Sequence, residues 1–291
     1  MVNWQSILAA TDFSADARRA AERAALLCAT AGLSRGAVLH VLESSWLDAL
    51  KRFSLRAELD QSRTNASWVL DDWVATIRER SGITLEPQVR VGKVLNTILE
   101  ASADFDVLAL GARGNHPLRD FAVGTTAERL LRQTRKRILV VKSEAATPYQ
   151  RVLVAVDFSS HSRRALAGGT ALAPQGEIHL AHVFEALFEV EMRYASVTEE
   201  TIQEYRAKAR AQAEADLQRF IDAFGVDDGR LHRSIEQGGH VPTKLLDKVR
   251  EIGADLVVVG KHGQSLTEAL LLGSVTLHLL TACPCDVLVM Q

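Results

Sequence analysis

Short apolar runs alternate along the chain with longer stretches in which apolar positions recur every three or four residues. The runs at 4–11, 36–42, 83–91, 107–110 and 138–141 read as strands, and those at 151–156, 177–184, 230–236, 256–259 and 287–290 repeat the series. Between them the helical spacing predicts helices opening at Ser14 and covering about 50–80, 93–103 and 124–134. It predicts a second set opening at Ser160 and covering about 197–224, 241–252 and 273–281. Ser14 and Ser160 are good N-cap types. Val107-Leu-Ala-Leu110 and Leu256-Val-Val-Val259 are continuously apolar, as strands buried on both faces must be. The alternation therefore predicts an α/β protein whose parallel sheet is covered by helices on both sides. Ligands of such sheets sit beyond the carboxyl ends of the strands, where strand order reverses.

The two series are copies of one unit. Ile7-Leu-Ala-Ala-Thr-Asp12-Phe-Ser14 aligns with Val152-Leu-Val-Ala-Val-Asp157-Phe-Ser159, His40-Val41 with His182-Val183, and Asp106 with Asp255. The offset drifts by only a few residues, which loop-sized insertions explain. A short polar stretch around Glu144 to Pro148 marks the join, so two tandem domains are expected, at 1–145 and 148–291.

Candidate chemistry gathers at one edge of each copy. Gly111, Gly114 and Gly124 followed by Thr125 spell G-x2-G-x9-G-T, and Gly260, Gly263 and Gly273 followed by Ser274 spell G-x2-G-x9-G-S. With only 18 glycines in 291 residues, such a pattern arising twice at matched positions is not chance. Each loop follows an apolar strand and precedes a helix, the arrangement that cradles phosphate with backbone N–H groups. The first two glycines are expected to supply backbone conformations closed to other residues, and the third to let a phosphate approach the helix. Thr125, Thr126 and Ser274 add hydroxyls. Asp12 and Asp157, ending the first strand of each copy, are placed to accept from a ribose or to help hold a cation. The ends of the second strands, at Val41 and Val183, offer backbone to an adenine edge.

These residues, with the closing Cys283-Pro-Cys-Asp-Val-Leu-Val-Met290, resemble the universal stress protein family in its tandem form, over nearly the whole chain. The resemblance implies two Rossmann-like domains of the adenine nucleotide alpha hydrolase type, each a five-stranded parallel sheet of order 3-2-1-4-5. It also implies pairing through the last strands, here within one chain as an internal pseudo-dimer, and a possible homodimer. Its glycine motif marks members that bind ATP, with Mg²⁺ near Asp12 and Asp157. Carried across by position, the nucleotide sites are Asp12, Val41, Gly111, Gly114, Gly124, Thr125 and Thr126, and Asp157, Val183, Gly260, Gly263, Gly273, Ser274 and Val275. The first loop departs from the pattern at Asn115-His116-Pro117 and adds Arg113 and Arg119. The expected role is a cytosolic stress-response sensor or switch with little or no turnover. The alternatives are a slow ATPase or self-phosphorylating enzyme, with Asp12, Asp157, His116 and His262 as the only candidate bases, or a scaffold for another nucleotide or an apolar ligand.

Composition narrows the field further. Residues 1–145 carry 20 Lys/Arg against 17 Asp/Glu and the remainder 14 against 19, so neither half has the basic balance of a nucleic-acid binder. The cluster Arg132, Arg135, Lys136 and Arg137 reads as the basic end of a helix. Three cysteines, Cys28, Cys283 and Cys285, fit a reducing compartment. No basic leader runs into an apolar segment and no apolar run approaches a bilayer span, so a cytoplasmic protein without membrane contact is expected. The first strand-to-helix turns contain no glycine, which removes the NAD fingerprint, and neither G-x4-G-K-[ST] nor G-x-S-x-G occurs. Along one strand His179 and His182 face opposite sides and cannot share a metal. The aromatics Trp46, Phe53, Trp68, Trp73, Phe184, Phe188, Tyr194 and Tyr205 are expected to pack on the sheets.

Overall fold

The computed structural model describes residues 4–44, 56–114, 124–186, 188–225, 229–262 and 272–291, without the side chains of 56–60 and 125. The first half runs β1 (Ser6–Thr11), α1 (Ala15–Thr30), β2 (Arg35–Glu43), α2 (Arg56–Ser81), β3 (Glu86–Gly92), α3 (Val94–Ser102), β4 (Val107–Gly111), α4 (Thr125–Gln133) and β5 (Arg137–Val141). The second runs β6 (Arg151–Ala155), α5 (Ser160–Leu172), β7 (Glu177–Phe184), α6 (Glu189–Tyr194), α7 (Glu199–Phe224), β8 (Leu231–Gln237), α8 (Val241–Ile252), β9 (Leu256–Gly260), α9 (Ser274–Ala282) and β10 (Asp286–Met290). The short helix α6 is absent from the sequence expectation. So is a shift at the start of α5: Ser159, not Ser160, is its N-cap, and its hydroxyl accepts from the Ser162 N–H. Two serines in a row leave that choice to the chain's entry angle, which spacing does not report.

All ten strands join one sheet of order β3-β2-β1-β4-β5-β10-β9-β6-β7-β8. Each half is parallel within itself, and its order is 3-2-1-4-5 when its strands are counted from one. The halves meet where β5 and β10 pair antiparallel, with Leu139 opposite Leu288. Alternation along the strands divides the interior into two layers. Ile7, Ala9, Val107, Ala109 and Leu139 face α1 and α2, and Val152, Val154 and Val258 face α5 and α7 in the same cluster. Leu8, Leu108, Leu110 and Ile138 face α3 and α4, and Val257, Val259 and Val287 face α8 and α9. Each fully buried Leu, Ile or Val contributes about 1.5–3 kcal/mol, and both layers run unbroken across the β5–β10 seam.

Polar groups fasten the same seam. Lys142 Nζ donates to the carbonyls of Leu280 and Cys283 at 2.7 Å each, closing the last turn of α9. Lys261 Nζ donates to the carbonyls of Arg132 and Thr134, at 3.2 and 3.1 Å, closing the end of α4. Each half thus lends a cation to the negative end of the other half's last helix. Among the described residues no helix is long and apolar enough to cross a membrane.

Trp68, Phe188 and Tyr194 depart from expectation, being 65%, 66% and 86% exposed rather than packed on a sheet. Trp68 lies on the outward face of α2 and the other two flank or belong to α6, which buries no residue of its own. Trp73 does pack inward, edge-on to Phe13 at 5.3 Å, and Phe184 is buried. Trp46 and Phe53 lie outside the described residues.

Candidate functional site

Strand order reverses between β1 and β4 in the first half and between β6 and β9 in the second, opening a crevice at the carboxyl ends of those strands. A cavity occupies each crevice, of about 240 Å³ in the first half and about 280 Å³ in the second. Asp12, Val41, Gly111, Gly114, Gly124 and Thr126 line the first. Asp157, Val183, Gly260, Gly273, Ser274 and Val275 line the second. Thr125 opens α4 without a described side chain, and Gly263 lies outside the described residues, as do His116, Pro117 and Arg119.

The turn after the first strand is built alike in both halves. Asp12 Oδ1 accepts from the Ser14 N–H at 3.0 Å, and Asp157 Oδ1 accepts from the Ser159 N–H at 3.0 Å and from the Ser162 hydroxyl at 2.8 Å. The intervening Phe13 and Phe158 hold left-handed backbone, φ 63° and 65°, a conformation that costs a non-glycine residue free energy. Each ring packs against the histidine of the neighbouring strand, Phe13 on His40 and Phe158 on His182, with centroids 4.3 Å apart and planes tilted by 35° and 38°. His40 Nδ1 donates to the Thr11 carbonyl at 2.9 Å and His182 Nδ1 to the Val156 carbonyl at 2.8 Å, which fixes both rings. Burial lowers the His40 pKa, outweighing the Thr11 bond and the nearby Asp12 carboxylate.

The glycines act differently from the sequence expectation. None of those described in the two loops sits in the left-handed region; their service is close approach. A Cβ on Gly111 would lie 2.5 Å from the Asp16 backbone at the start of α1, and one on Gly260 would lie 2.7 Å from His161 Cβ. A Cβ on Gly114 would lie 2.6 Å from Asp12 Oδ2, so the bare backbone at 114 is what lets loop and carboxylate meet. Gly124 is different again. Its Cβ would find only ordinary contacts, 3.6 Å or more away, so packing does not demand glycine there. Gly124 and Gly273 are the N-caps of α4 and α9, and neither helix has a side-chain cap bond. Ser14, Ser159 and Thr198 cap α1, α5 and α7 with their hydroxyls, whereas α3 and α8 have no side-chain cap bond either. The first N–H groups of α4 and α9 therefore keep their capacity to bind an anion.

A family model for the universal stress protein family matches residues 3–142 and again residues 148–291. The chain belongs to the universal stress protein family. A universal stress protein of Mycolicibacterium smegmatis is 25% identical over 218 residues, 73% of this chain and 71% of that one. Among solved structures, a universal stress protein from Archaeoglobus fulgidus superposes with a TM-score of 0.72 at 23% identity, covering 100% of this chain and 99% of its own. A putative universal stress protein from Pseudomonas aeruginosa gives 0.61 at 18% identity, covering 99% and 93%. These likenesses establish the fold of a tandem universal stress protein.

Within this universal stress protein the two cavities are related but unequal. Arg113 lines the first and its N–H donates to Asp16 Oδ2 at 3.0 Å. At the matching places the second has His262 and His161, whose rings meet edge to face at 5.7 Å. Burial and then neighbouring cations, Lys261 for His262 and Arg164 for His161, hold both imidazoles below their ordinary pKa. His262 Nδ1 is buried and has no hydrogen-bond partner among the described residues.

The apolar walls escaped the sequence reading. Val94 and Ile98 of α3 line the first cavity and Val241 and Leu245 of α8 line the second. A second internal repeat signals them: Gly92-Lys-Val94 and Gly239-His-Val241 stand at matching strand-to-helix turns. Of the aromatics considered above, none that lies among the described residues lines either cavity.

Proposed function

We propose that both crevices bind ATP with Mg²⁺ and that the protein works as a nucleotide-responsive switch with little or no turnover. The observation that carries this reading is the twofold coincidence of an uncapped helix N-terminus, a bare-backbone loop and a strand-end carboxylate around one cavity with apolar walls. The N–H groups at the starts of α4 and α9, with Ser274 and Thr126, suit the phosphates, and Arg113 adds charge in the first site. Asp12 and Asp157 offer oxygens to a magnesium ion or a ribose. The apolar walls from Val94, Ile98, Val241 and Leu245 suit the base, with the backbone of Val41 and Val183 as its hydrogen-bonding edge.

Low turnover fits the state of two of the candidate bases: Asp157 is engaged by a backbone N–H and a hydroxyl, and burial, then the Lys261 cation, disfavours proton uptake by His262. A cytoplasmic location and an internal pseudo-dimer formed through β5 and β10 complete the reading, with homodimerisation as a further step of assembly.

Calorimetric titration with Mg·ATP tests it. Two sites per chain are expected, and Gly124→Val and Gly273→Val should each remove one, because each places a branched side chain where the helix N–H groups face the cavity. Gly124→Val should leave the melting temperature near that of the parent, since that position has room. Unchanged stoichiometry in both variants would show that the pocket is elsewhere.

A further inference from the structure

A second cluster lies at the opposite, amino-terminal edge of the second half. Glu177 opens β7 and His179 follows two residues later, so both project from one face of the sheet. The register places His232, on the edge strand β8, directly opposite His179. The two imidazoles stack with centroids 4.6 Å apart and planes 19° from parallel. Glu177 Oε2 lies 3.4 Å from His179 Nε2 and 3.9 Å from His232 Nε2. One candidate ligand atom from each residue falls within 4.8 Å of the other two. His179 Nε2 is sealed from solvent and makes no hydrogen bond among the described residues.

The first half provides an internal control. Superposing the two registers puts Arg35 at the place of Glu177, Ala37 at that of His179 and Glu86 at that of His232. There, Arg35 Nη2 pairs with Glu86 Oε2 at 3.1 Å across β2 and β3. One half thus joins its two outer strands with a built-in cation and anion. The other gathers three electron-pair donors at the same place and no cation among them.

We propose that Glu177, His179 and His232 form a three-ligand site for a first-row divalent transition metal ion, with Zn²⁺ as the best fit. Two imidazoles and one carboxylate are a borderline-soft donor set that suits zinc better than magnesium or calcium. Zinc at ~2.0–2.1 Å from each ligand in a tetrahedral shell sets ligand atoms about 3.4 Å apart, close to the 3.4 and 3.9 Å from Glu177 to the two histidines, and binding also requires the stacked rings to tilt so that their lone pairs converge on the ion. Glu177 and His232 are each about half exposed, which leaves a fourth position open to water and gives the ion a path in. Lys248 of α8 opposes a cation here, but its ammonium is engaged by Glu251 at 2.7 Å. The bound ion would clamp the edge strand β8 to β7, some 13 Å of strand away from Val183 and the nucleotide crevice.

The test uses the full chain, stripped of metal with a chelator and free of nucleotide, so that it is independent of the ATP reading. Zinc chloride is titrated by calorimetry, and Co²⁺ serves as a visible-absorption reporter of a tetrahedral shell. One high-affinity ion per chain is expected, with a rise in melting temperature on adding zinc. His232→Ala and Glu177→Gln should each weaken the affinity at least tenfold and remove that rise. Both positions are exposed enough that circular dichroism should show an unchanged fold. A double Cys283→Ser, Cys285→Ser variant and a His240→Ala variant, which alter other sulfur and histidine pairs, should bind as the parent does. Zinc affinity in the parent no tighter than in His232→Ala, or binding lost in the cysteine or His240 variants instead, overturns the assignment.

Discussion

At the residue scale, the two crevices are shaped by close approaches at particular glycines. Gly111 and Gly260 are glycines because another chain segment occupies the space of a Cβ, Gly114 because the Asp12 carboxylate does, and Gly124 meets no such neighbour. The motif was legible in the sequence, but its cause was not: close approach and left-handed backbone both select glycine, and spacing alone does not separate them. The left-handed residues turned out to be Phe13 and Phe158, which no propensity argument would select. His40 carries a testable consequence of the same crowding. Its folded pKa lies below the ordinary 6.5 because burial disfavours the imidazolium, so the unfolded chain takes up this proton first as pH falls. The contribution of neutral His40 to stability is fully present above pH 6.5 and is lost as pH falls from there through the depressed folded value. His161, His179 and His262 shift in the same direction. Urea unfolding at a series of pH values should show stability dropping below about pH 6.5, and His40→Gln should have a shallower acid limb than the parent. Equal slopes in the two proteins would remove His40 from the cause.

At the element scale, strands and helices were legible wherever periodicity and caps agreed. β7 and α8 lie where the pattern predicts, and most other boundaries differ by a residue or two, as fraying ends do. The failures share one physical origin. Helix α6 buries nothing, so no apolar stripe announces it, and Trp68 sits on a face of α2 that its aromatic character alone made look interior. The Glu177, His179 and His232 cluster was hidden because the partners meet across strands; along one strand the eye pairs His179 with His182, which point apart. The start of α5 gives a direct check. Ser159 Oγ accepts the Ser162 N–H at 3.2 Å, whereas Ser160 is the first helical residue and is exposed. Ser159→Ala should cost about 1 kcal/mol and Ser160→Ala close to nothing, read from denaturation midpoints at constant slope. The reverse order would return the cap to the position that the sequence suggested.

At the scale of the whole molecule, the question is what makes two copies of one unit act as a single body. The antiparallel β5–β10 pair covers two edges that would otherwise stand open to other chains, and the layers above and below it are continuous. One buried ionic cluster ties this seam to the join. Asp286, fully buried at the start of β10, accepts from the Tyr149 hydroxyl at 2.6 Å and from the Lys142 and Ser143 N–H groups at 2.9 Å each. It also faces Arg23 of α1 at 3.3 Å. Arg23 in turn donates to the carbonyls of Thr147 and Glu144 and lies over the Tyr149 ring at 4.3 Å. First-half helix, connecting segment and second-half strand therefore converge on one carboxylate. Removing it leaves a guanidinium that is only 4% exposed without its counter-charge, so Asp286→Ala should cost about 3–5 kcal/mol. If the cost comes from the stranded charge rather than from the shape of the site, replacing both partners with apolar residues should recover much of it. Arg23→Met with Asp286→Leu should then unfold at a higher urea concentration than Asp286→Ala alone. A double variant as unstable as the single one would assign the loss to the Tyr149, Lys142 and Ser143 hydrogen bonds, and the carboxylate would be acting as an acceptor that organises the join rather than as a counter-ion.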